Sequence, residues 1–317
     1  MYTIHLCTGG LAHMLKLLGT TISYCKVSGR TCVIYSENHA AFLMPFYDIF
    51  TPTNKFVREK LLVSEREYAD IISNYAFNSP INAPPILSSV KLQYYGTEEL
   101  GNKYALVKNN LKYSYNLELN EDEDKTPFQL TTGQRCDRKN RKLNLIGGWQ
   151  SSLTALKIND YIINEALLRQ SELMDSYIGV HFRNTDMKHD INTIFDDLRN
   201  TVLETKIYQV FLATDDISSL ELFRSEFPEL VFKSLSEIPD YKKLGQKSIH
   251  YMSIKAMDKA GLSKKKQIED ALCDILCLAD STHFIASRNS AMSHLVQFLR
   301  ENQGIAKIFA KNFFSWN

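Results

Sequence analysis

The sequence predicts an α/β protein of two domains with mainly parallel sheets, and three observations predict it. Short apolar runs alternate with stretches of helical periodicity, polar clusters follow the apolar runs, and 317 residues suffice for two separate cores. Hydrophobic residues make up 44% of the chain and charged residues 23%, the balance of a folded globular protein.

The first forty residues read as strand, glycine turn, helix, strand. Residues 2–7 form a short apolar run, and Gly9 and Gly10 punctuate it. Leu11, Met14, Leu15, Leu18, Ile22 and Cys25 then recur at helical spacing. Gly29 stands where a helix C-terminus favours a residue tolerant of positive φ, and residues 31–35 resume as a β-rich strand. This is a βαβ opening.

Residues 75–150 are less periodic and hold Pro80, Pro84, Pro85 and the acidic run Glu121, Asp122, Glu123, Asp124. A strand is expected over 143–146, ending at Gly147 and Gly148. One long helix is expected from 152 to 171, with Leu156, Ile163, Ala166 and Leu167 on one face. From Tyr177 the alternation sharpens. Strands are expected at 177–182, 208–213 and 283–286. Helices are marked by Ile194, Phe195, Leu198 and Val202, then Ile217, Leu220 and Phe223, then Ile268, Leu272, Ile275 and Leu276, and finally Leu295, Val296 and Leu299. The expected domains are 1–172 and 173–317, with a last helix able to return to the first.

Composition narrows the function classes. A formal charge of +1 argues against a dedicated nucleic-acid binder. The N-terminus lacks a basic segment followed by a long apolar one, and no apolar run approaches the roughly 18–20 residues of a membrane helix. Cys7, Cys25, Cys32, Cys136, Cys273 and Cys277 form no CxxC pair and mostly lie in apolar runs, so buried reduced thiols are expected. These features point to the cytoplasm.

In open parallel sheets, ligands bind beyond the carboxyl ends of the strands. Arg183, Asn184, Thr185 and Asp186 follow one expected strand, Thr214, Asp215 and Asp216 a second, and Ser287, Arg288, Asn289 and Ser290 a third. The Arg183 guanidinium is a planar fork suited to phosphate oxygens, and could instead pair with Asp186. Ser290 can cap the following helix or offer a hydroxyl to a phosphate. Asp215 and Asp216 suit a helix start, and His181 points to the face opposite Val180 and Phe182. Asp274, four residues after Asp270 in an apolar helical pattern, needs either a basic partner or the paired N–H donors of a base. Gly9 and Gly10 allow close approach of a helix terminus to a ligand, without the GxGxxG spacing of a dinucleotide site. The acidic run and the lysines Lys242, Lys247, Lys255 and Lys264 to Lys266 read as solvated surface, although the Asp122, Glu123, Asp124 triplet could hold a divalent metal and the lysines could guide an anionic acceptor.

The strand-end clusters carry a family resemblance. YIGVHFRNTD resembles the HxRR motif, followed by Thr or Gly and then Asp, of the fucosyltransferase superfamily. That superfamily includes rhizobial nodulation and core α-1,6-, bacterial α-1,2- and protein O-fucosyltransferases. VFLATDD is similar to its second motif, and the spacing from Asp274 to Ser290 is similar to that of the aspartate and serine in its third. GGLAHMLKLL with SGRTCVI resembles the N-terminal glycine loop, helix and strand. LIGGWQSS resembles the GYxQS segment of the α-1,2 enzymes.

The resemblance implies a GT-B fold of two facing Rossmann-like domains, with the donor in the C-terminal one. It implies inverting, metal-independent transfer of fucose from GDP-fucose to a glycan hydroxyl in surface-polysaccharide or glycan synthesis, with no cofactor. His181 and Asp274 would contact guanine or ribose, Arg183 and Ser290 the diphosphate, and Asp215 and Asp216 would shape the site; Gly9, Gly10 and Asn289 complete the expected donor set. Three departures stand out: Asn184 replaces the second arginine, Met187 replaces the lysine of the α-1,6 enzymes, and their downstream glutamate has no clear counterpart. Asp190 and His13 are nominated to deprotonate the acceptor, and Asp186 to organise its loop. A sugar-nucleotide epimerase or hydrolase, a transferase using another nucleotide sugar, and a non-catalytic nucleotide-sugar binder remain alternatives.

Overall fold

The βαβ opening forms as the periodicity predicts. In the computed structural model, which describes residues 2–6, 10–28, 31–35, 44–53, 57–58, 104–108, 129–131, 148–184, 190–238, 257, 261–287 and 290–316, β1 spans Tyr2–Leu6, α1 Leu11–Ser28 and β2 Thr31–Tyr35. The helix buries Met14, Leu15, Leu18, Ile22 and Cys25 completely, while Leu11, the first residue of the expected stripe, is half-buried. β1 and β2 run parallel with Tyr2 opposite Thr31, as a crossover through one helix requires.

Around this unit, β4 (Val57–Arg58), β5 (Tyr104–Lys108) and β6 (Gln129–Thr131) complete a five-stranded sheet of order β4-β2-β1-β5-β6, parallel at every pairing. A separate two-stranded sheet joins β3 (Phe50–Pro52) to β7 (Leu156–Ile158).

That small sheet explains a difference from the sequence reading. The single helix expected over 152–171 is instead α2 (Trp149–Ala155), β7, and α3 (Asp160–Gln170). The Thr53 N–H donates to the Ala155 carbonyl at 2.8 Å, so a strand from a hundred residues earlier claims the backbone at the break. Asn159, extended at φ −64° and ψ 141°, then restarts the helix. Tertiary pairing has overridden local periodicity.

The chain divides into two units, Met1–Lys157 and Ile158–Asn317. The expected boundary near 172 lies later because α3 belongs to the second unit, where it packs on α6 (Lys264–Asp280). In that unit β8 (Ile178–Phe182), β9 (Gln209–Thr214), β10 (Val231–Lys233) and β11 (His283–Ala286) form a parallel sheet of order β10-β9-β8-β11. β10 was not legible in the sequence, since three residues are too few to show alternation.

One face of this sheet, carrying Ile178, Val180 and Phe182, packs on α4 (Ile191–Thr205) and α5 (Ile217–Glu226) through Ile194, Phe195, Leu198, Leu220 and Phe223. On the other face α6 packs on β8 and β9, α7 (Ala291–Glu301) packs on α6, and Ser293 of α7 reaches His181 of β8. Every residue of β8 is buried, as in a strand enclosed on both faces. Gly179 permits this closeness: a Cβ there would lie 2.7 Å from Ser281 Oγ and 2.9 Å from its Cβ. The last helix, α8 (Gln303–Phe309), stays in the second unit and packs on α7.

Among the described residues no helix is long and apolar enough to cross a membrane. Cys25, Cys32, Cys273 and Cys277 are buried free thiols, as expected; Cys7 and Cys136 lie outside the described residues.

Candidate functional site

Because β8, β9 and β11 are parallel, the segments following Phe182, Thr214 and Ala286 all leave one edge of the sheet. The edge is knitted by hydrogen bonds. The Asn184 backbone N–H donates to Asp215 Oδ1 at 2.9 Å, and its side-chain amide donates to Asp216 Oδ2 at 3.0 Å and Ser219 Oγ at 3.4 Å. The Arg183 guanidinium lies with Nε 3.7 Å from Asp215 Oδ2. Its partner on this edge is thus the carboxylate of the adjacent loop; Asp186, the partner weighed from sequence, lies outside the described residues.

Asp216 caps α5, accepting from the Ser218 backbone N–H at 3.2 Å and the Ser218 hydroxyl at 2.6 Å. Burial pushes its carboxyl up, but the hydrogen bonds from Ser218, Asn184 and Ser219 outweigh it and hold the group below its ordinary value. The helix-start reading of Asp216 is therefore correct, and the same carboxylate also anchors Asn184.

The third loop contributes Ser287 and Ser290, both fully buried. Ser287 Oγ accepts from the Arg183 backbone N–H at 3.2 Å, and its carbonyl accepts from the Ser290 N–H at 3.1 Å. One serine thus joins the β8 loop to the start of α7. Ser290 occupies the N-cap position at φ −89° and ψ 128°, yet its side chain makes no capping bond. Its Oγ is buried and finds no hydrogen-bond partner among the described residues. A buried hydroxyl left in this state costs about 1–3 kcal/mol, so a capping role does not account for it. His181, buried on the sheet face opposite Val180 and Phe182 as expected, is oriented by Ser293 of α7, whose Oγ lies 2.7 Å from Nδ1.

Asp274 stands apart from this loop cluster, buried on α6. The Ser236 hydroxyl, which follows β10, donates to Asp274 Oδ1 at 2.7 Å. Arg169 of α3, also buried, donates from Nη1 to Ser236 Oγ at 2.9 Å, from Nε to Glu165 Oε1 at 3.0 Å, and from Nη2 to Asp270 Oδ1. Desolvation pushes the Asp274 carboxyl up to about 7, against the pull of Ser236 and Arg169. Of the partners weighed from sequence, the basic side chain pairs with Asp270, and Asp274 receives a hydroxyl. Arg169 and Ser236 were not nominated from sequence, and Asn184 and Ser287 stood in the strand-end clusters without a nominated role. Arg169 had a signal, because it continues the buried row of Ile162 and Ala166 at helical spacing.

The remaining nominated residues lie elsewhere. Asp190 is exposed and caps α4, accepting from the Asn192 N–H at 3.0 Å and the Thr193 hydroxyl at 3.3 Å. In the first unit the Gly10 carbonyl accepts from the Met14 N–H as α1 begins. His13 follows on the first turn of α1, with Nε2 buried and lacking a partner among the described residues. Burial, with the Lys16 ammonium adding to it, pulls His13 down to about 4. The imidazole is neutral across the physiological range. Trp149 Nε1 donates to the Ala12 carbonyl at 2.8 Å, tying the GGWQSS segment to the same turn.

Gly9, Asn289, Asp122 to Asp124, Lys242, Lys247 and Lys255 lie outside the described residues. The reading of Lys264 to Lys266 as solvated surface fails for Lys264. It is buried at the start of α6, and desolvation lowers its ammonium to about 8. Among the described residues no group of three or more His, Cys, Asp or Glu side chains is arranged to hold a metal ion.

No protein-family model and no curated protein sequence matches the chain. Solved structures do. The NodZ α-1,6-fucosyltransferase soaked with GDP-fucose superposes with a TM-score of 0.54 at 16% identity, over 94% of this chain and 92% of that one. NodZ from Bradyrhizobium gives 0.51 at 17% identity, over 94% and 93%. The apo form of POFUT1 gives 0.50 at 12% identity, over 95% and 94%. Identity at this level carries architecture and not activity. The chain therefore has the GT-B fold of these fucosyltransferases.

Proposed function

We propose that this protein is an inverting glycosyltransferase that moves fucose from GDP-fucose to a glycan hydroxyl without a metal ion. The observation that carries the reading is the Ser290 hydroxyl. It is fully buried at the N-terminus of an eleven-residue helix, with no partner among the described residues and Arg183 attached through Ser287. Helix N-termini offer backbone N–H groups and positive potential to a phosphate, and a waiting hydroxyl adds a donor.

In this reading Arg183 and Ser290 grip the diphosphate, His181 and Asp274 recognise the nucleoside, and Asn184, Asp215 and Asp216 hold the loops. The acceptor oxygen attacks the anomeric carbon and the bond to the β-phosphate oxygen breaks. The β-linked donor becomes an α-linked product, and the acceptor proton passes to a base. GDP leaves with negative charge developing on its diphosphate, which Arg183 is suited to stabilise. Neutral Asn184 stands where the resembled motif has a second arginine, so more of that charge falls on Arg183. His13 and Asp190 remain the proposed bases. His13 has the deprotonated nitrogen such a step needs, although a group pulled to about 4 is a weak base. The bound forms of the NodZ structures, with GDP-fucose or GDP, support the donor class.

Calorimetry decides the donor: GDP is expected to bind saturably in magnesium-free buffer and UDP much more weakly. Binding of UDP but not GDP would sink the assignment. A second reading, a non-catalytic nucleotide-sugar binder, is favoured by the commitment of the Asn184 amide to Asp216 and Ser219. It predicts binding with no turnover across a broad acceptor panel. Release of free sugar from donor alone would instead indicate a hydrolase.

A further inference from the structure

We infer that Arg169 is a positioning residue for nucleobase recognition, acting through the Ser236 hydroxyl to aim and charge Asp274 toward a base that presents two adjacent N–H donors. The inference rests on the donor reading above and extends it to residues that the resemblance does not cover.

The geometry leaves Ser236 little choice. Its oxygen accepts from Arg169 Nη1 at 2.9 Å, so its single proton must go elsewhere. Two acceptors are within reach: Asp274 Oδ1 at 2.7 Å and the Asp270 carbonyl at 3.5 Å. The first is the usual length of an O–H···O bond and the second is at the limit of any bond, so the proton points to Asp274. Arg169 is in turn fixed at every nitrogen position, with Glu165 on Nε, Ser236 on Nη1 and Asp270 on Nη2. Lys266 Nζ holds the same Asp270 oxygen at 2.9 Å from the outer side. The fork cannot rotate without breaking an ion pair.

The result is directional. Oδ1 of Asp274 is held by Ser236, while Oδ2 has no hydrogen-bond partner among the described residues. An ionised carboxylate in that state can accept the ring N–H and the exocyclic N–H of a guanine edge, whereas adenine presents no such donor pair. Oδ2 is not among the buried side-chain oxygens left without a partner, so it reaches the solvent side and is open to a ligand.

The charge on Asp274 depends on the same relay. Burial and the Asp270 carboxylate of the same helix oppose ionisation, beside the Cys273 and Cys277 thiols, which burial keeps neutral. Arg169 from α3 and the Ser236 donor favour it. Glu165 and Lys266 complete the charged groups around Arg169. Losing the Ser236 donor therefore raises the pH below which Asp274 is protonated and unable to accept.

The test uses the full chain and the variants Ser236→Ala, Ser236→Thr and Arg169→Lys. Affinities for GDP, IDP and ADP are measured by calorimetry from pH 5.5 to 8.5, with melting curves to verify folding. The unmodified protein should prefer GDP, with affinity falling as pH drops through about 7. Ser236→Ala keeps the Arg169–Asp270 ion pair. It should cut the GDP-over-ADP preference about tenfold, on the order of one charge-assisted bond, and move the pH midpoint upward. Ser236→Thr, which retains the hydroxyl, should restore both, and Arg169→Lys should fall between. If Ser236→Ala folds normally and leaves preference and midpoint where they were, the inference is overturned while the donor reading stands. If the unmodified protein shows no preference for GDP, both fall together.

Discussion

The carbonyl oxygen of Gly148 occupies the space a side chain on Gly19 would need, since a Cβ there would lie 1.7 Å from it and 2.8 Å from the carbonyl carbon. α1 and the start of α2 therefore meet backbone to backbone. Gly148 is itself left-handed at φ 72°. Because the obstructing atom is main chain, it cannot swing aside. Gly19→Ala should destabilise the first unit by roughly 1–3 kcal/mol or more, as overpacking against a fixed wall does, and thermal denaturation would register it as a lowered midpoint. An unchanged midpoint would mean that the helices can separate at little cost.

Arg183 should behave in the opposite way. It is partly exposed and its contact with Asp215 at 3.7 Å is long, so the pair adds little to folding. Arg183→Ala should melt within a degree or two of the unmodified protein, at a cost of about 0–1 kcal/mol. Its GDP affinity should drop by one to two orders of magnitude, on the scale of a lost bidentate phosphate contact, and transfer should nearly vanish. Unchanged kinetics would remove Arg183 from the site.

Ser290 separates a cap from a ligand group. Replacing a working N-cap serine by alanine costs about 1 kcal/mol. Here the hydroxyl makes no capping bond and is buried without a partner among the described residues. Ser290→Ala should therefore leave the empty protein as stable as before, or slightly more so, and weaken GDP binding several-fold. The reverse pattern, lower stability with intact binding, would return Ser290 to a structural role.

The pH dependence of stability carries the signature of Asp274. Its carboxyl is raised from an ordinary value of 3.8 to about 7. Between those values the folded protein holds a proton that the unfolded chain has released. This contribution to stability is full below about 4 and is lost as pH climbs through 7. Asp216, whose carboxyl is held low, works in the opposite sense, adding stability above its unfolded value and losing it in acid. Asp274→Asn should accordingly gain stability relative to the unmodified protein at pH 8 compared with pH 5. Denaturant titrations at the two pH values would measure the difference, and a constant offset would contradict the raised carboxyl.

The parts of the fold that could be read from sequence were those with local causes. The α1 stripe of Met14, Leu15, Leu18, Ile22 and Cys25 and the strands β8, β9 and β11 declare themselves by period and apolar run. The break at β7 could not be read, because its cause is a ladder with β3 formed across a hundred residues. The site divides along the same line. Arg183, Asp215, Asp216 and Ser290 were visible as polar residues after apolar strands. Ser236, in contrast, follows a three-residue strand, and its meaning comes only from Arg169 on one side and Asp274 on the other.

The Asn184 amide, fastened to Asp216 and Ser219, makes two successive crossovers mechanically continuous. A shift at the end of β8 would reach the first turn of α5 through this amide and through the Asn184 N–H bonded to Asp215. A spectroscopic reporter placed on that helix, away from any substrate, would thus register whether the sheet edge is loaded or empty.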